Sequence, residues 1–158
     1  MTKTNAARIL DRLNIDYRLL EYTADESDLS ASGVAKQLEL PVEQIFKTLV
    51  AHGDKTGVIA VSVPGDNELD LKALAKQSGN KKTVLVALKE LQHLTGYFRG
   101  AVSPLGMKKD YPYYLDQQAL FYPFIVISAG IRGLQISLAP EDLIKATKPV
   151  TGFFCRKN

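Results

Sequence analysis

The chain is 158 residues long, 46% hydrophobic and 23% charged, with a formal net charge of +3. A chain of this length closes a hydrophobic core without disulfides or metals, and the composition excludes the disordered and membrane-spanning classes. The mild positive excess permits contact with phosphates without requiring it.

The expectation is one domain over residues 1–158. The opening segment MTKTNAARILDRL lacks the apolar run of a signal peptide, and no segment nears the ~20 apolar residues that cross a bilayer, so the reading is a cytoplasmic protein with no membrane partner. Ala6, Ile9, Leu10 and Leu13 recur at helical spacing behind Thr4, a suitable N-cap. A short strand is expected near 16–22, then a polar loop over 23–30 (TADESDLS). It ends on Ser30, which caps a helix striped by Ala31, Val34, Ala35 and Leu38 and broken by Pro41. Two apolar runs over 45–63 flank GDKT and predict an antiparallel hairpin. Asp70 caps a helix with Leu71, Leu74 and Ala75 inward, and Gly79 stops it. TVLVA reads as a strand and 87–95 as a helix ended by Gly96. Strands follow near 112–116, 124–128 and 134–138, then a helix from Pro140. Within FIVISAGIRGLQISL the first arm is apolar on both faces, which predicts a central strand.

Helices interspersed with hairpins predict an α+β class: a mixed, mainly antiparallel, twisted and barrel-like sheet flanked by helices. The tools of common enzymes are missing. His52 and His93 stand alone, and the one cysteine, Cys155, sits in what reads as a fraying tail, a poor place for a nucleophile. No zinc spacing, nucleophile elbow, P-loop or dinucleotide fingerprint occurs.

Three segments remain. In QIFKTLVA (44–51), strand alternation puts Lys47 on the face of Ile45, Leu49 and Ala51. An ammonium there must snorkel to solvent, pair with a carboxylate or face a polar cleft. TGYFRGAVSPLGMKK (95–109) holds three glycines, a proline and a lysine pair. Its Gly100-to-Pro104 spacing suits either an ordinary turn or a loop that aims backbone N–H groups at an oxyanion. SAGIRG (128–133) is a glycine-shaped hairpin turn with Arg132 placed to reach a phosphate or carboxylate. The pair Lys81 and Lys82 and the late basic residues Lys145, Lys148, Arg156 and Lys157 read as solvated surface.

In order, FKTLV, TGYFRGAVSPLGMKK and SAGIRGL resemble the YbaK/ProX family of aminoacyl-tRNA editing deacylases. The likeness is to its bacterial Cys-tRNA(Pro) branch, whose signatures run FKTL or YKTL, TGYxxGGxSPLGxKK and SGGxRGL. The resemblance spans nearly the whole chain. It implies a deacylase that clears mischarged aminoacyl-tRNA, chiefly cysteine on tRNA(Pro) and by extension on tRNA(Cys). It also implies action in trans, prolyl-tRNA synthetase as a candidate partner, and no cofactor or metal. Such an enzyme answers a physical need, because a methylene is worth only ~1–3 kcal/mol of discrimination and a proline pocket cannot exclude a smaller residue by packing. In this branch the substrate thiol attacks its own ester and leaves as a thiolactone, so the protein supplies orientation and electrostatics.

Residue by residue, the resemblance makes Lys47 and Gly100 the catalytic pair. Lys47 supports the aminoacyl ester, and Gly100 opens a pocket loop completed by Ala101, Val102, Ser103 and Pro104. Ser128, Gly130 and Arg132 form the facing hairpin, Tyr22 lies near the pocket, and Lys108 and Lys109 contact tRNA phosphates. Ala101 and Ala129 replace glycines of many relatives, Gln135 replaces an acidic residue of some, and the 23–32 segment diverges. These departures bear on whether cysteine, alanine or another small residue is removed. A deacylase for Ala-tRNA(Pro), a non-catalytic module that holds tRNA ends or a synthetase, and a small-molecule binder are the alternative readings.

Overall fold

The computed structural model describes residues 3–156, so Lys157 lies outside it. Helix α1 (Asn5–Arg12) starts where the Thr4 hydroxyl accepts the Ala7 N–H, and it buries Ala6, Ala7 and Leu10. Strand β1 (Arg18–Glu21) leads through the polar loop to α2 (Ala31–Leu38), capped by the Ser30 hydroxyl accepting from the Gly33 N–H. The hairpin of β2 (Phe46–Gly53) and β3 (Gly57–Pro64) pairs in register from Phe46 with Pro64 to Gly53 with Gly57. Helix α3 (Leu71–Ser78) begins at Asp70, whose carboxyl accepts from the N–H groups of Lys72 and Ala73, and it stops at left-handed Gly79. Then come β4 (Thr83–Leu85), α4 (Leu88–Thr95), β5 (Tyr113–Asp116), β6 (Ile125–Ser128), β7 (Leu134–Leu138), α5 (Pro140–Thr147) and β8 (Val150–Gly152).

The α+β class and the mainly antiparallel pairing hold, but the strands divide into two sheets that do not close into a barrel. One has the order β1-β7-β6 and is antiparallel throughout. The other runs β4-β2-β3-β5-β8 and turns parallel at β3–β5 and β5–β8. Strand β7, not β6, is central in the smaller sheet. All four β6 residues are nonetheless buried, because its outer margin abuts the start of β2 through the parallel bridge Ile45–Val126.

The larger core cluster lies between the smaller sheet, α1 and α5, around Leu10, Ile125, Ile127, Ile136 and Leu143. A second cluster covers the other face of the five-stranded sheet, with Ile59, Val61, Leu74 and Phe154. Each such aliphatic side chain contributes about 1.5–3 kcal/mol on leaving water. The C-terminal segment does not fray. Phe154 is fully buried, Cys155 bridges Leu69, and the Phe154 N–H donates to Asp116 Oδ2 at 2.9 Å.

Candidate functional site

The site begins with a gap in a β-ladder. On the margin away from β3, β2 meets β6 through the bridge at Ile45 and pairs with β4 only over Ala51 to Gly53, so residues 46–49 pair with no strand there among the described residues. The Val86 N–H donates to the Val50 carbonyl on this margin at 3.0 Å. Main-chain groups alternate sides along a strand, so those of Thr48 also face the gap. Beyond it lies a cleft of about 510 Å³. Its walls are the 27–31 loop, Leu88 and Leu91 of α4, the loop of Arg99, Gly100 and Val102, and Ser128 and Gln135 of the β6–β7 hairpin.

Alternation also sorts the side chains of β2. Phe46 and Val50 pack with Leu105 on one side and with Leu91 and Val102 on the other, which puts Thr48 on the same face. Lys47 leaves on the opposite face beside Leu49 and its register partner Val63, at the unpaired margin, where it lines the cleft half-buried. Among the described residues it forms no ion pair. Of the three fates open to a strand lysine, the carboxylate partner is thus set aside.

Gly100 holds φ +82°, and a Cβ there would lie 3.2 Å from Leu29 Cδ2, so glycine lets the loop close down on the 27–31 segment. Gly130 holds φ +101°, and its missing Cβ leaves room for the Tyr97 ring, which would otherwise lie 2.8 Å away. Tyr97 in turn ties the loop by donating to the Leu105 carbonyl. Ser128 Oγ accepts the Gly130 N–H at 3.1 Å, fixing the turn at the cleft wall. Asp28 also lines the cleft, and hydrogen bonds from the Ser30 hydroxyl and N–H hold its carboxyl below the usual carboxylate range.

Of the residues that the motifs single out, the cleft brings together Lys47, Gly100, Val102 and Ser128. Ala101 and Ser103 are buried behind it, and Ser103 Oγ accepts the Leu105 N–H at 3.2 Å. Pro104 and Lys109 line a separate cavity of about 270 Å³ that also contains Tyr113. Lys108 is exposed outside both. Arg132 finds its carboxylate within the chain: Nη1 is 3.6 Å from Glu26, and Nε donates to the Arg99 carbonyl at 2.8 Å, so it braces two cleft loops. Tyr22 extends the β1 pairing through its N–H to the Gly133 carbonyl and does not line the cleft. The motifs contain Thr48 without giving it a role and leave out Leu29, Leu88 and Leu91, all of which the cleft includes. Leu88 is 63% exposed, an apolar residue that its helix does not bury, which only the structure reveals.

The cleft lining holds no histidine and no cysteine. His52 sits exposed 3.5 Å from Glu90. Cys155 is pushed up to about 12, first by burial and then by Asp116, with Asn67 and the Lys47 charge opposing only weakly. Among the described residues no group of three metal-ligating side chains occurs. What this cleft can do chemically is orient a ligand and supply positive charge and N–H groups.

The aminoacyl-tRNA editing domain model matches residues 26–146. The chain is 49% identical over 145 residues to EbsC of Enterococcus faecalis, which carries the name of a Cys-tRNA(Pro)/Cys-tRNA(Cys) deacylase, covering 92% of this chain and 88% of that one. A crystal structure described as a trans-editing enzyme for prolyl tRNA synthetase superposes with a TM-score of 0.83 at 26% identity, over 99% of this chain and all of that one. The hypothetical protein APE2540 shares the fold, with a TM-score of 0.88 at 23% identity over 97% of this chain and 100% of its own. The match to the family model and the likeness along most of the sequence place this chain in the aminoacyl-tRNA editing domain family.

Proposed function

We propose that this protein is a trans-acting deacylase that removes cysteine from mischarged Cys-tRNA(Pro), and from Cys-tRNA(Cys), in the cytoplasm. The observation that carries the reading is a ligand-sized cleft that joins Lys47 and Gly100 yet has in its lining neither a cysteine nor a histidine to activate its hydroxyls. With no histidine to activate a hydroxyl, the proposed nucleophile is the substrate's own. The cysteinyl sulfur attacks the ester carbonyl carbon, the bond from that carbon to the ribose oxygen breaks, and the thiol proton passes to that oxygen. Cysteine thiolactone and intact tRNA leave. Lys47 stabilises charge that develops on the ester, and the Gly100 loop sets the angle of attack. Leu29, Leu88, Leu91 and Val102 supply an apolar wall for a thiol. Lys108 and Lys109, exposed beyond the cleft, meet phosphates of the tRNA end.

The test is deacylation of tRNA(Pro) charged with cysteine, serine or alanine. Rapid loss of cysteine alone, with thiolactone trapped as the first product, is expected. Serine has nearly the same size and a weaker nucleophile, so equal rates for serine and cysteine would overturn the substrate-assisted step. Release of alanine alone would assign the cleft to Ala-tRNA(Pro).

A further inference from the structure

A chain of three hydroxyls crosses the five-stranded sheet from the second cavity to the cleft. Tyr113 Oη on β5 donates to Ser62 Oγ on β3 at 2.6 Å, and Ser62 Oγ lies 2.7 Å from Thr48 Oγ1 on β2. Ser62 is fully buried, and no buried side-chain polar atom among the described residues lacks a partner. A serine hydroxyl carries one proton. With Tyr113 donating to it, the Ser62 proton has Thr48 Oγ1 as its remaining partner, since leaving it unpaired would incur the full cost of desolvation. Thr48 therefore accepts on its sheet side, and its own proton is left over. Thr48 shares the strand face of Phe46 and Val50, packed toward the 100–105 loop, and lines the cleft.

We propose that Thr48 is a substrate-positioning donor whose hydroxyl proton is held toward the cleft by the Tyr113–Ser62 relay, where it binds an acceptor oxygen of the aminoacyl ester. This rests on the deacylase reading above and adds three residues to it. Thr48 touches substrate, whereas Ser62 and Tyr113 are positioning residues that act through it. Burial raises the Tyr113 phenol well above its ordinary value, so the relay keeps its proton and its polarity throughout the neutral range. Without the phenol, Ser62 loses the donor that polarises its hydroxyl, so its bond to Thr48 weakens and the Thr48 proton is held less firmly toward the cleft.

The experiment measures kcat and KM for Cys-tRNA(Pro) with Thr48→Val, Thr48→Ser, Tyr113→Phe and the double variant Thr48→Val/Tyr113→Phe, with thermal melting of each. Thr48→Val should lose roughly 10-fold in kcat/KM, the effect of one hydrogen bond, and Thr48→Ser should restore most of it. Tyr113→Phe should lose several-fold in the wild-type background and nothing further in the Thr48→Val background, whatever its melting temperature. A fall in kcat means the bond to the ester strengthens in the transition state, and a rise in KM alone means it is made equally in the bound substrate. If Tyr113→Phe proves too unstable to assay, Ser62→Ala takes its place in the same cycle, with the same expectation. Additive losses, or a Thr48→Val enzyme equal to wild type, overturn the relay while leaving the deacylase standing. A wild-type protein that cleaves none of the esters removes both.

Discussion

Two buried hydrogen-bond clusters share β5 and are built on opposite plans. At its N-terminal end, Tyr113 starts the relay that finishes on Thr48 at an open cleft. At its C-terminal end, Asp116 is fully buried and spends its carboxyl on the chain itself: Oδ1 accepts the Gln118 N–H at 2.9 Å, and Oδ2 accepts the Phe154 N–H at 2.9 Å and the Cys155 thiol at 3.2 Å. The second cluster closes on itself and holds the C-terminal segment. The first is left with one donor to spare. The contrast teaches that the stabilising and the ligand-facing polar groups of this sheet are separable by where their last proton points.

The largest effect should come from the cleft side. Lys47→Ala should lower kcat by roughly 100-fold or more, the cost of removing a group that stabilises developing charge, while circular dichroism and urea unfolding stay near wild type. A large loss of stability would instead make this lysine part of the core. On the closed side, Asp116→Ala should cost about 3 kcal/mol in urea unfolding by orphaning buried donors, with kcat at low temperature retained. If activity fell with no change in stability, the two clusters would not be separable.

Smaller effects sharpen the same division. Gly100→Ala and Gly57→Ala each force a side chain into left-handed backbone at ~1–2 kcal/mol. Only the first, whose Cβ meets Leu29, should also reduce deacylation, by about tenfold against unchanged kcat at Gly57, where a Cβ meets nothing within 4 Å. The smallest effect is at Cys155. Its folded value near 12 lies above the ordinary 9.0, so its contribution to stability is complete below pH 9 and lost as pH rises from 9 toward 12. Cys155→Ala should flatten the alkaline limb of the stability curve in that window, and alkylation of the native thiol at pH 8 should be far slower than in urea.

The local punctuation of the fold was legible in the sequence. Thr4, Ser30 and Asp70 cap the helices that they promise, and Gly79 and Gly96 end theirs. What sequence could not supply was non-local. Strand β8 is three residues without alternation, and it exists because β5 offers a parallel edge. The burial of β6 comes from β2 across a sheet boundary, which its apolar pattern cannot distinguish from a central position. In the site, Lys47, Gly100, Val102 and Ser128 lay in contiguous motifs. Leu88 and Leu91 fall in a helix that the sequence marks only by its span, 87–95, and its Gly96 stop. The role of Thr48 depends on partners 14 residues away and, through Ser62, 51 residues beyond that.

The missing neighbour along residues 46–49 has an evolutionary corollary. Because no ladder runs through that margin, the 27–31 loop and the Gly100 loop form a wall that the sheets do not need for their own pairing. Those loops are interchangeable parts: insertions or replacements there can retune which amino acid is accepted while the strands remain as they are. A single scaffold can thereby host a range of editing specificities.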